Sequence, residues 1–171
     1  IKQIKNSIAQ AELTRSSNIS DLEAGTVTAP IDGEIHDLQV KEGDNISNNG
    51  SLFVITDKSE LKLLVPFINT YRNRFSVGQK VTINAFDTEK DELHRVEGTI
   101  SGISTPGYTT SSGAESYNVS IIIENNGSLK EGMIANASVD IDGTEVKSSG
   151  SNTLSYLKNM TVRAPSGGTV S

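Results

Sequence analysis

Cysteine and tryptophan are absent from the 171 residues. The first absence excludes disulfides and thiol chemistry without fixing a compartment. With only His36 and His94 to offer imidazoles, a Cys/His zinc site runs short of ligands, so no metal is expected. Aromatic residues make up 5%, too few for stacking platforms that hold bases or sugars. Lys and Arg nowhere form a run of four, and the net charge is -6, a field that repels polyanions and argues against nucleic acid. No apolar run approaches the roughly 20 residues of a spanning helix, and no signal peptide opens the chain, so any membrane anchor is expected outside it. The chain opens on Ile1 instead of Met and stops at Ser171 within a motif, and it reads as a fragment of a longer protein. Hydrophobic content of 35% is thin for one large core and suits small β modules in a row.

What is present begins with Ile1, Ile4, Ile8 and Ala11, spaced by threes and fours as in a coiled-coil seam. The register then meets Arg15, Asn18 and Leu22, so the seam turns polar. A short amphipathic helix on a globular core and the end of a longer helical hairpin both fit residues 1–22. From Gly25 the texture is β: Thr26-Val27-Thr28, the Asp32-Gly33 turn, Glu34-Ile35, the turns at Glu42-Gly43-Asp44 and Asn48-Asn49-Gly50, and the run Leu52 to Ile55. Beyond Asp57 the predicted strands lengthen. Leu61 to Phe67 is apolar, Asn69 is placed to cap a short helix through Phe75, and Val77-Gly78 makes a turn. Alternation at Val81-Ile83-Ala85, Val96-Gly98-Ile100, Val119-Ile121-Ile123 and Met133 to Ile141 predicts a small antiparallel β-barrel over 61–143. Thr105 to Ser116 reads as a mobile loop and Asp142 to Thr153 as a linker, with flexible joints near Ser59 and Asp142.

An internal repeat is the most informative feature. Thr26-Val27-Thr28-Ala29-Pro30-Ile31-Asp32-Gly33-Glu34-Ile35 recurs as Thr161-Val162-Arg163-Ala164-Pro165-Ser166-Gly167-Gly168-Thr169-Val170, with five positions identical. In each copy Pro ends an incoming strand, Gly turns the corner and a β-branched aliphatic re-enters the core.

Ala29-Pro30-x-x-Gly33-x-Ile35, Val40-x-Glu42-Gly43-Asp44-x-Ile46 and Gly50-x-Leu52-x-x-Ile55 together resemble the second half of a biotinyl/lipoyl domain. Leu61 to Phe67, Val77-Gly78-Gln79-Lys80-Val81, Gly98-x-Ile100-x-x-Ile103-x-x-Pro106 and Leu129-x-x-Gly132-Met133 resemble the barrel of HlyD-like membrane-fusion proteins, the periplasmic adaptors of export pumps. The resemblance covers about Ile1 to Ile141 in the family's order of descending helix, lipoyl half and barrel. It departs from the family after the barrel, where the second Ala164-Pro165-x-x-Gly168 motif opens either a tandem lipoyl-like module or a strand of a membrane-proximal domain.

A rival reading is a swinging-arm carrier with Lys58 as the biotinylated or lipoylated residue, since Thr56-Asp57-Lys58 faintly resembles a carrier tip. The order opposes it, because a carrier lysine lies between the two half-motifs and no Ala-Pro turn follows Lys58. A plain, non-catalytic surface β module is the other alternative. Enzyme readings find little: there is no G-x-S-x-G, His36 and His94 sit on strand-like stretches, and the cluster Asp87, Glu89, Asp91, Glu92 reads as a solvated hairpin tip instead of a calcium loop.

The sequence therefore predicts a mainly β, non-enzymatic chain without cofactor: a coiled-coil helix segment at 1–22, a lipoyl-like half-domain at 23–60, a barrel at 61–143, and a linker with the start of another module at 144–171. Its structural motif residues are Ala29, Pro30, Gly33, Gly43, Gly50, Gly98, Gly132, Ala164, Pro165 and Gly168. The resemblance implies an adaptor in a bacterial export complex, extracytoplasmic and membrane-anchored, self-associating into a ring, commonly a hexamer. It implies as partners an inner-membrane transporter and an outer-membrane or cell-wall channel component. Plentiful Asn, Lys, Ser and Ile point to a low-GC Gram-positive source and so to an ABC transporter instead of an RND pump.

Overall fold

The structure is a computed structural model that describes residues 2–23, 25–104, 107–109 and 113–171, with side chains beyond the helical residues 2–6, 18 and 20–23. Ile1 and Pro106, and the side chains of Ile4, Asn18 and Leu22, named above for the coiled-coil and barrel patterns, lie outside the described residues. The chain is mainly β with antiparallel pairing, and it divides into two compact units: Ile1–Thr56 with Asn159–Ser171, and Asp57–Lys158.

The first unit opens with α1 (Lys2–Glu23). Its described side chains are exposed, with Ile8, Leu13 and Ile19 at 53%, 68% and 46%, and no second helix packs on it among the described residues. The helix is there; the expected coiled-coil pairing is not displayed. Three short strands follow, β1 (Glu34–His36), β2 (Asn45–Ile46) and the start of β3 (Ser51–Ile68), with β1 antiparallel to β3 through Ile35 opposite Ile55.

The second unit holds the main core. After β3 come a 3-10 helix (Asn69–Arg74), β4 (Lys80–Asp87), β5 (Glu92–Ile103), β6 (Tyr108–Thr109), β7 (Glu115–Glu124), β8 (Ile134–Ile141), β9 (Thr144–Lys147) and β10 (Asn152–Thr153). The strand order is β3-β7-β5-β4-β8-β10, with β9 on β8 and β6 on β7. Period-two alternation sends Leu61, Leu63, Val65, Phe67, Ile83, Val119, Ile121 and Ile123 inward at 0% exposure, which fixes the register. Phe75 closes one end of the core, 4.8 Å from Phe67 and 5.8 Å from Tyr117 between ring centroids. The loop after β7 is organised by Asn125. Its amide donates to the carbonyls of Lys58 and Leu129 at 2.9 and 3.0 Å and accepts from the N–H groups of Gly127 and Leu129 at 3.0 and 3.1 Å.

Several expectations change. The sheet does not close into a barrel. Between β8 and β3 the gap is crossed only by the segment around β10, where Ser149 N–H donates to the Pro66 carbonyl at 2.8 Å and the Asn152 amide to the Leu64 carbonyl at 2.9 Å. Pro66 has no N–H to give on that side, so a regular ladder cannot continue there. Residues 144–153 are not a linker: Asp142 and Gly143, both at positive φ, turn β8 into β9, and Val146 and Leu154 are buried in the core. The joint expected near Ser59 is instead the middle of continuous β3. Asn69 does not cap the short helix; Ile68 stands at that position, and the Asn69 amide donates to Glu115 at 2.8 Å. Within the expected mobile loop, Tyr108–Thr109 pairs with β7, while 105–106 and 110–112 lie outside the described residues. The expected boundaries also move: 144–158 belong to the second unit, and 159–171 to the first.

Candidate functional site

The tail carries β11 (Ser155–Arg163) and β12 (Gly168–Thr169). It does not begin a separate module: its last residues fold onto the first unit. β12 runs antiparallel to β2, with Gly168 opposite Ile46. On one side of that pair, Gly43 N–H donates to the Val170 carbonyl and Val170 N–H to the Asp44 carbonyl, both at 2.9 Å. On the other, Asn49 N–H donates to the Ala164 carbonyl at 2.9 Å and Ala164 N–H to the Gly50 carbonyl at 2.8 Å. The second copy of the repeated motif is thus built into the same unit as the first.

The two copies are packed unequally. Val162 and Ala164 of the second are buried at 8% and 7% exposure. Their counterparts Val27 and Ala29 are exposed, as are Pro30, Ile35 and Leu38. Beside them runs a groove of about 450 Å³ lined by Val27, Leu38, Val40, Ile46, Phe53 and Val170, among other residues, none of them with an ionisable side chain. Burial of apolar surface is the only force such a lining offers a ligand.

The predicted motif residues do different work. Gly33 is crowded against Thr56, whereas Gly43 and Gly132 adopt positive φ of 91° and 87° at turns. Gly50 approaches Ile46, and a β-carbon on Gly98 would lie 2.8 Å from the Ile121 side chain in the second unit's core. Pro165 and Gly168 are exposed in the second motif copy. Lys58 is exposed in the middle of β3, not at a hairpin tip, which removes the geometry a swinging-arm lysine needs.

The chain matches no family model, no curated protein and no solved structure.

Chemistry-bearing side chains are scattered. His36 bonds the Thr56 hydroxyl at 2.6 Å beside Asp37, and His94 lies on β5 near Glu92. No nucleophile stands next to either among the printed contacts. Asp87 accepts the N–H groups of Glu89 and Lys90 and so holds the acidic β4–β5 turn together. Lys158 pairs with Asp57 and Glu60 at 3.3 and 3.5 Å; both carboxylates raise its pKa, and two hydrogen bonds from Ser59 with the lysine hold the Asp57 carboxyl below its usual range. No group of three or more potential metal ligands occurs among the described residues, and no helix is long and apolar enough to cross a membrane. The apolar groove was missed in the sequence because its walls come from segments more than a hundred residues apart; the repeated Ala-Pro motif was the one signal that could have joined them.

Proposed function

We propose that this chain is the extracytoplasmic part of an adaptor (membrane-fusion) subunit of a bacterial export complex. It bridges an inner-membrane transporter of ABC class to the exterior or to a channel component, works as a ring, and carries out no catalysis. The observation that carries the reading is the pairing of the two Ala-Pro motifs in one small β unit that directly follows a helix and bears an apolar groove free of ionisable groups. A lining of that kind holds a polypeptide and offers nothing for acid–base or nucleophilic chemistry. The resemblance in motif order, from helix to lipoyl half to β domain, supplies the rest.

The test is affinity capture of the full-length protein from solubilised membranes after mild crosslinking, with mass spectrometry of what is recovered. A transporter subunit in stoichiometric amount supports the adaptor; recovery of a biotin- or lipoyl-dependent enzyme, or an added cofactor mass on Lys58, overturns it in favour of a carrier.

A further inference from the structure

The outward face of β5, β4 and β8 carries a feature that the adaptor reading does not use. Leu93, Phe86 and Ile134 are direct cross-strand neighbours, Phe86 opposite Leu93 on one side and Ile134 on the other. All three point to solvent, at 66%, 37% and 45% exposure. At an inter-strand spacing of about 4.8 Å the row is ~10 Å across. Isolated exposed apolar residues need no explanation, but three in register on adjacent strands form a continuous patch.

The next row is uncharged in its centre, Asn84 bonded to Asn136 at 3.2 Å, with Arg95 opposite Asn84. Beyond it, charges alternate: Lys80 pairs with Glu97, Lys147 with Glu145 at 3.5 Å, and Arg95 acts on Glu145. Asp140, in line with Glu145 on the neighbouring strand, brings this face to charge balance, whereas the whole chain is at -6. A groove of about 570 Å³, with Leu93 as one wall, adjoins the row. Knob, groove and both signs of charge therefore lie on one surface. An acidic partner meets repulsion from most of this chain, but a second copy turned by a two-fold axis meets a neutral, self-complementary face.

We infer that this sheet face is a self-association surface, with the Leu93–Phe86–Ile134 row of one copy packed on that of another. The inference is independent of the adaptor reading, since it concerns the chain alone. The patch is small, so the dimer is weak and belongs to the low end of stable interfaces. Because the excess negative charge lies off this face, added salt strengthens the association by screening the rest.

Sedimentation velocity on the 171-residue chain, over a concentration series reaching about 1 mM, tests it. The expected result is a weight-average mass rising toward that of a dimer. Leu93→Lys weakens association about tenfold or more, while Leu64→Lys, at a comparably exposed position on β3, leaves it unchanged; circular dichroism establishes that both variants are folded. Sheets packed face to face stand about 10 Å apart, too far for a disulfide. A Phe86→Cys variant, in a chain with no other cysteine, is therefore captured as a dimer by a bismaleimide of matching span. A chain that stays monomeric throughout, or a Leu93→Lys variant that associates as tightly as Leu64→Lys, overturns the inference.

Discussion

Gly33 lies so close to Thr56 that a β-carbon at position 33 would stand 2.6 Å from the Thr56 carbonyl oxygen and 2.8 Å from the neighbouring Ile55 side chain. The oxygen belongs to the backbone of β3, paired with β1 at that point, so it cannot step aside. Gly168 holds the matching position in the second motif copy, yet a β-carbon there meets nothing within 4 Å. The same letter thus answers a steric demand once and is free of it once.

The pair of substitutions separates those roles. Gly33→Ala is expected to destabilise the first unit by about 2–3 kcal/mol through overpacking, and Gly168→Ala to stay within about 0.5 kcal/mol of the parent. Urea unfolding of the two variants checks this. Equal losses would mean that the two corners are structurally equivalent after all.

Tyr117 is fully buried beside Phe75, and its hydroxyl has no hydrogen-bond partner among the described residues. Burial pushes its pKa from 10.0 up to about 12, against a smaller opposing pull from Arg72. Between those values the unfolded phenol ionises while the folded one keeps its proton, so the folded state binds more protons and stability falls as pH rises. The contribution is whole below pH 10 and lost on the way to about 12. Tyr117→Phe removes both the unsatisfied group and the titration. It is expected to be as stable as the parent at pH 7 or better by ~1 kcal/mol, with an advantage that widens by ~2 kcal/mol in strong alkali. Unfolding curves at pH 7, 10 and 11 measure the widening; a variant that is weaker at pH 7 would show that the hydroxyl has a partner.

The second unit's strands were legible because Leu61 to Phe67 and Val119 to Ile123 alternate strictly, and one buried face imposes that period on any sequence that folds there. Barrel closure was not legible, since it turns on a single missing N–H at Pro66 and on which edge that residue faces, information that no local window contains. The 144–153 segment was misread for a related reason. Its Ser, Gly and Asn content suggests a linker, while its fold is decided by Val146 and Leu154 alone, two residues that reach the core from an otherwise polar stretch. The repeated motif was visible as text, but its pairing is a long-range contact, and similarity between two segments does not say whether they stack in tandem or close on one another.

That closure yields the last prediction. Ala164 and Val170 each exchange two backbone hydrogen bonds with the first unit, at Asn49–Gly50 and at Gly43–Asp44, with the β2–β12 pair between them. Ile46 is half-buried in the same place, and the Ala164 methyl is almost wholly enclosed. Removing residues 164–171 unpairs all of these groups together, because the strand pair is too short to survive with one half of its bonds. Hydrogen exchange should then lose protection at Gly43 and Asn49, whose N–H groups donate to the removed carbonyls. Protection at Leu63, Val119 and Ile121 is expected to persist, since the second unit's core contains no residue beyond Tyr156. Protection retained at Gly43 and Asn49 would mean that the tail rests on a unit already complete without it, and the pairing of the two motifs would lose its structural weight.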